Sequence, residues 1–137
     1  MSLLKKIILV EDDEFDADMT LSVLRKIPLA NEIIWLETGK ELLEYLEEKG
    51  TQDIAVVILD LNMPLLTGIE TMQIIQEKKY RKFPVVVLSS SRENPDIKKC
   101  YEMGVNSFVT KPVKTEEFQE AVKTLGLYWG IINVPPS

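Results

Sequence analysis

Five short runs rich in β-branched and other apolar residues recur along this chain: Lys6 to Val10, Glu32 to Leu36, Ala55 to Leu59, Pro84 to Leu88 and Ser107 to Val109. Each suits a buried strand, and segments with helical spacing lie between and after them. Strands that run the same way must be joined by a crossover long enough to cover the sheet. Strict alternation through five units therefore predicts a parallel sheet with helices on both faces.

Helix signals mark the intervening segments. Phe15, Met19, Val23 and Ile27 form a stripe that Pro28 stops. In the second, Gly39 to Glu48, Thr38 can cap the amino end, Leu42, Leu43 and Leu46 make the apolar face, and Gly50 ends the helix. A third is expected from Gly68 to about Lys78, burying Ile69, Met72 and Ile75 or their neighbours. The fourth has Asn94 as cap, Pro95 as first helical residue and Gly104 at its far end. Thr115 opens the fifth. Glu116 and Glu117 sit in its first turn, where the helix dipole favours acids, and Phe118, Val122 and Leu125 face inward.

Composition narrows the function. A chain of 137 residues with 45% hydrophobic content can bury the core of one domain unaided. Its net charge of −6, with Lys and Arg scattered, lacks the electrostatic footprint of a nucleic-acid binder. No apolar run approaches the ~20 residues needed to cross a bilayer, so no membrane span is expected. Cys100 is the single cysteine, which excludes an intrachain disulfide and fits a reducing cytoplasm. The chain has no histidine. A histidine general base, a Ser/His/Asp triad and histidine zinc ligands are all ruled out, and any phosphohistidine chemistry has to come from another protein.

In an open doubly wound sheet, ligands bind beyond the carboxyl ends of the strands, where the winding direction reverses. The first strand ends in Glu11, Asp12 and Asp13, the third in Asp60, the fourth in Ser89 and Ser90, and the fifth, after Thr110, in Lys111. Close carboxylates repel unless something positive neutralises them, and magnesium does so while keeping coordination positions for water and phosphate. Asp60 can then act as an oxygen nucleophile toward phosphorus, with the Lys111 ammonium absorbing charge and the Ser89 hydroxyl donating to a phosphate oxygen. Asp13, Glu14, Asp16 and Asp18 read more simply as a dipole-favoured helix start. Cys100 reads as structural, and Tyr128 with Trp129 reads equally as core or as an interaction patch.

These residues resemble the receiver domain of two-component response regulators, from Lys5 to about Leu125. Ile7-Ile8-Leu9-Val10-Glu11-Asp12-Asp13 is similar to the receiver's first strand and acidic pair, which puts Glu11 and Asp12 in metal-binding positions. Leu59-Asp60-Leu61-Asn62-Met63-Pro64, followed by Gly68, resembles the phosphoacceptor strand and loop. That match implies that Asp60 is phosphorylated and that the main-chain carbonyl of Asn62 is a metal ligand. Val87-Leu88-Ser89-Ser90 is similar to the strand bearing the switch hydroxyl, and Lys111-Pro112 to the lysine that contacts the phosphoryl group. Phe108 stands where many receivers carry a switching Tyr, so its ring has no hydroxyl to bond. Glu11 replaces the commoner Asp, a longer acid that reaches the metal through water.

The resemblance implies a flavodoxin-like, doubly wound five-stranded parallel sheet of order 2-1-3-4-5 with five helices. The expected organisation is a receiver over residues 4–125 and a tail over 126–137, with no separate output domain. The implied function is phosphoacceptor signalling: a phosphoryl group passes to Asp60, with Mg2+, from the phosphohistidine of a sensor histidine kinase or phosphotransfer protein. The chain is then a signalling module and not an enzyme acting on a separate substrate, and its output is altered contact with a downstream protein target. A homodimer through the fourth helix, fifth strand, fifth helix and tail is expected. Finer likeness runs to the small stand-alone regulators of phytochrome-type histidine kinases. A phosphohydrolase of the haloacid dehalogenase type also uses a strand-end Asp, magnesium and a lysine, but needs a second Asp where this chain has Asn62. A flavin carrier shares the architecture, yet the acidic loop after the first strand would repel a flavin phosphate.

Overall fold

The computed structural model describes residues 5–26, 31–61, 67–78, 83–89, 94–105, 107–110, 116, 120, 123 and 124. Strands and helices alternate as β1 Lys6–Val10, α1 Glu14–Lys26, β2 Ile33–Leu36, α2 Gly39–Lys49, β3 Ile54–Asp60, α3 Gly68–Glu77, β4 Val85–Ser89, α4 Asn94–Glu102 and β5 Ser107–Thr110. The strands form one parallel sheet in the order β2-β1-β3-β4-β5. Four helices have described bounds. In the region expected to form a fifth, Glu116, Glu120, Lys123 and Thr124 are helical, and the Thr124 hydroxyl donates to the Glu120 carbonyl at 2.9 Å. Phe118, Val122, Leu125 and the tail lie outside the described residues.

Because side chains alternate across a strand, each central strand feeds two cores. Ile8, Val10, Val57, Leu59, Val85 and Val87 pack on one face with Leu42 and Leu46 of α2, Met72 and Ile75 of α3, and Cys100 of α4. Ile7, Leu9, Val56, Ile58, Val86 and Leu88 pack on the other with Ala17, Leu21 and Leu24 of α1. All seven residues of β3 are buried, which explains why its sequence is a continuous apolar run that ends in an acid.

The caps of α2 follow the sequence. The Thr38 hydroxyl accepts from the Glu41 N–H at 3.0 Å, the Glu41 carboxylate accepts from the Thr38 N–H at 3.0 Å, and Gly50 takes φ 78° at the far end. A second box of the same kind opens α3, between Thr67 and Glu70. The buried side of α1 differs from the expected stripe. Phe15 is 73% exposed, while Ala17, Thr20, Leu21 and Leu24 are buried. At 3.6 residues per turn, Phe15 lies roughly half a turn from Ala17 and Leu24. The small Ala17 lets the helix approach the sheet, and that orientation turns Phe15 outward. Val23 is buried and Met19 partly so at the margin of that face; Ile27 lies outside the described residues.

The winding reverses between β1 and β3. The connection from β1 leads to β2 at one edge, and the chain then returns past β1 to build β3, β4 and β5 on the other side. Ligand sites of such sheets lie in the crevice beyond the carboxyl ends of those two strands.

Candidate functional site

At that crevice the ends of β1 and β3 bring Glu11, Asp12 and Asp60 together, with one carboxylate oxygen of each within 4.8 Å of the others. Glu11 is 1% and Asp60 4% exposed, and Asp12 is half-buried. Parallel pairing sets this proximity: Val10 lies opposite Leu59, so the residues that follow leave the sheet at the same level. Acids buried this closely repel one another, and a hard cation that prefers oxygen ligands relieves the repulsion. These carboxylates would offer oxygen donors, directly or through water, to Mg2+ and leave a position for a phosphate oxygen. The donor set and its burial fit that ion.

Local structure holds each member. The Glu11 N–H continues the β1–β2 ladder by donating to the Leu36 carbonyl at 3.0 Å, and the Trp35 indole N–H donates to the Glu11 carbonyl at 2.8 Å. Asp13 caps α1. Its carboxylate accepts from the Asp16 N–H at 2.9 Å, and its carbonyl accepts from the Ala17 N–H at 2.9 Å. That is the helix-start role expected from its sequence position. On the other side, the Leu61 N–H donates to the Leu88 carbonyl at 3.1 Å, and the Gly68 N–H donates to the Leu61 carbonyl at 3.2 Å.

Of the other expected site residues, Ser89 ends β4 opposite Thr110, the last residue of β5, and Asp60 pairs with Leu88. The backbone thus places Ser89 at the strand ends beside the acidic cluster. Phe108 pairs with Val87, deeper in the sheet. Asn62 and Lys111 lie outside the described residues. Sequence reasoning missed Trp35, whose bond to Glu11 depends on the register between β1 and β2. It also missed the Thr67–Glu70 box, although the Thr-x-x-Glu spacing before an apolar helix was there to be read. Hydrogen bonds from the Thr67 backbone, then from its side chain, hold the Glu70 carboxyl below its ordinary value.

A doubly wound parallel sheet with an acidic trio at its winding reversal defines an α/β protein whose strand-end carboxylates fit a divalent cation. The sequence profile of the response regulator receiver domain matches residues 7–123, and the chain belongs to that family. It is 34% identical over 127 residues to the probable methanogenesis regulatory protein FilR2 of Methanothrix harundinacea, covering 90% of this chain and 82% of that protein. It is 30% identical over 130 residues to response regulator Rcp1 of Synechocystis sp., covering 91% of this chain and 88% of Rcp1. The Mn(2+)-bound crystal structure of Rcp1 superposes with a TM-score of 0.87 over 97% of this chain and 99% of that one. The phosphorylated cyanobacterial phytochrome response regulator RcpA superposes with a TM-score of 0.88 at 30% identity, over 98% and 99%. Among the described residues no helix is long and apolar enough to cross a membrane.

Proposed function

We propose that this receiver takes a phosphoryl group onto Asp60 from the phosphohistidine of a sensor histidine kinase or phosphotransfer protein, with Mg2+ held by Glu11, Asp12, Asp60 and the Asn62 carbonyl. The observation that carries this reading is the clustering of buried Glu11 and Asp60 with half-buried Asp12 at the strand ends. Asp60 supplies the oxygen that bonds to phosphorus. The phosphorus–nitrogen bond to the donor breaks, and its electron pair leaves on the donor imidazole. Bound Mg2+ supplies charge neutralisation of the phosphoryl oxygens. Glu11 and Asp12 would hold the ion, Glu11 through water. Lys111, which directly follows the last residue of β5, offsets the remaining charge, and Ser89 donates a hydrogen bond to a phosphoryl oxygen.

Phosphorylation shifts a two-state equilibrium in which Ser89 moves toward the phosphoryl group and Phe108 follows. The output is a change in protein contacts. We assign it to the face of α4, β5, the expected fifth helix and the tail, where a homodimer and a downstream target would meet the chain. The chain is a cytoplasmic signalling module and not an enzyme with a separate substrate, although it assists its own phosphorylation and dephosphorylation. The similarity to RcpA supports a phytochrome-type kinase as donor.

Intact-protein mass spectrometry after incubation with acetyl phosphate tests the reading. A single phosphoryl adduct that requires Mg2+ and disappears in Asp60→Asn is expected. Phosphate release without any adduct would support a phosphohydrolase instead.

A further inference from the structure

The Trp35 indole N–H donates to the Glu11 carbonyl at the point where the next rung of the β1–β2 ladder would fall. In a parallel ladder every second residue of one strand donates to and accepts from two residues of its neighbour, two apart. Ile7 pairs with Ile33 and donates to the Glu32 carbonyl at 2.9 Å; four residues on, Glu11 donates to the Leu36 carbonyl at 3.0 Å. Continuing that spacing, the Glu11 carbonyl would next accept from the Thr38 N–H. Thr38 is committed elsewhere: its N–H donates to the Glu41 carboxylate at 3.0 Å, as half of the α2 capping box. The Trp35 indole N–H takes the vacated place on the Glu11 carbonyl at 2.8 Å.

We infer that Trp35 is a positioning residue for divalent-cation binding. The Glu11 carbonyl belongs to the peptide that joins Glu11 to Asp12. Fixing that peptide fixes the direction in which both backbones present their carboxylates toward Asp60. Without the indole donor the peptide loses a restraint on rotation about its flanking bonds. Groups that orient the ligands of a metal without touching it typically contribute 10–100-fold to affinity or activity. Trp35 does so from the edge strand, through the main chain.

The inference rests on the cation site proposed above, and the test separates the two. Mg2+ affinity is measured by calorimetry on the full chain, on Trp35→Phe, which keeps an aromatic ring and removes the N–H, and on Ile33→Ala, which weakens packing in the same strand. Mg2+ is also titrated while the Trp35 indole 1H–15N resonance is followed, assigned as the one of the chain's two tryptophan indole signals that persists in Trp129→Phe. The expected result is a dissociation constant about tenfold higher in Trp35→Phe, unchanged in Ile33→Ala, with the parent's indole resonance moving in step with Mg2+ saturation. Equal affinity in Trp35→Phe and the parent overturns the inference, as does an equal loss in both variants. Should Trp35→Phe fail to fold, the parent's indole resonance decides: movement with Mg2+ supports the role, and a stationary resonance overturns it. A parent that binds no Mg2+ overturns the cation site and this inference with it.

Discussion

Gly68 lies so close to Asp60 that a methyl group on its Cα would stand 2.7 Å from the Asp60 carbonyl oxygen and 2.8 Å from the Leu61 Cα. Both are backbone atoms of the segment that presents the acceptor carboxylate, so neither can yield without moving it. Overpacking of this kind costs about 1–3 kcal/mol. The gain of alanine over glycine, up to about 1 kcal/mol in a helix interior, is smaller at a first helical residue. Gly68→Ala is expected to lower stability in urea by about 1–2 kcal/mol and to slow phosphorylation by acetyl phosphate. An alanine variant as stable and as reactive as the parent would contradict the close approach.

The acidic trio makes stability depend on the cation in two opposite ways. With a chelator present, replacing one of three clustered acids relieves repulsion, so Asp12→Asn is expected to unfold at a higher urea concentration than the parent. With Mg2+ at 100 times its dissociation constant, the parent gains about 2.7 kcal/mol by mass action, and most of that gain is absent in the variant. Urea titrations of both proteins, with chelator and with Mg2+, read both effects. Equal responses to Mg2+ would remove Asp12 from the site.

Thr20 Oγ1 is buried on α1 with no hydrogen-bond partner among the described residues. Valine has nearly the same shape and a similar helix propensity, and it removes a polar atom that burial has stripped of water. Thr20→Val is expected to stabilise the fold by about 1 kcal/mol, seen as a higher urea midpoint at unchanged slope. A lower midpoint would mean that the hydroxyl has a partner.

Glu70 gives α3 a pH dependence of known sign. Hydrogen bonds from Thr67 hold its carboxyl below the ordinary 4.5 in the folded protein. Its contribution to stability is therefore complete above the unfolded value and is lost as the pH falls through the folded one. Glu70→Gln keeps an acceptor for the Thr67 N–H but carries no charge at the helix start. The stability difference between parent and Glu70→Gln is expected to be largest near neutrality and to shrink as the pH drops below 4.5. Urea unfolding at a series of pH values checks this, and a difference that grows in acid would contradict it.

Much of this was legible because it is local or periodic. The β-branched runs announced the five strands, and Thr38 with Gly50 announced the ends of α2, since those signals depend only on near neighbours. Glu11, Asp12 and Asp60 could be placed together because strand ends in a parallel sheet converge on one edge. The face of α1 was less legible. Phe15, Met19 and Val23 have helical spacing as good as that of Ala17, Leu21 and Leu24, and only packing against the sheet decides between them. Trp35 was illegible for a related reason: its contact with Glu11 spans 24 positions in sequence and exists only in one strand register.

The measurement that bears most directly on the central claim locates the phosphoryl group itself. Borohydride converts an aspartyl phosphate to homoserine, which peptide mass spectrometry can place in the sequence. After treatment with acetyl phosphate and Mg2+, the account predicts homoserine at position 60 and none there when Mg2+ is withheld. Homoserine at another aspartate with Asp60 unmodified, or modification of Asp60 that proceeds equally without Mg2+, would contradict it.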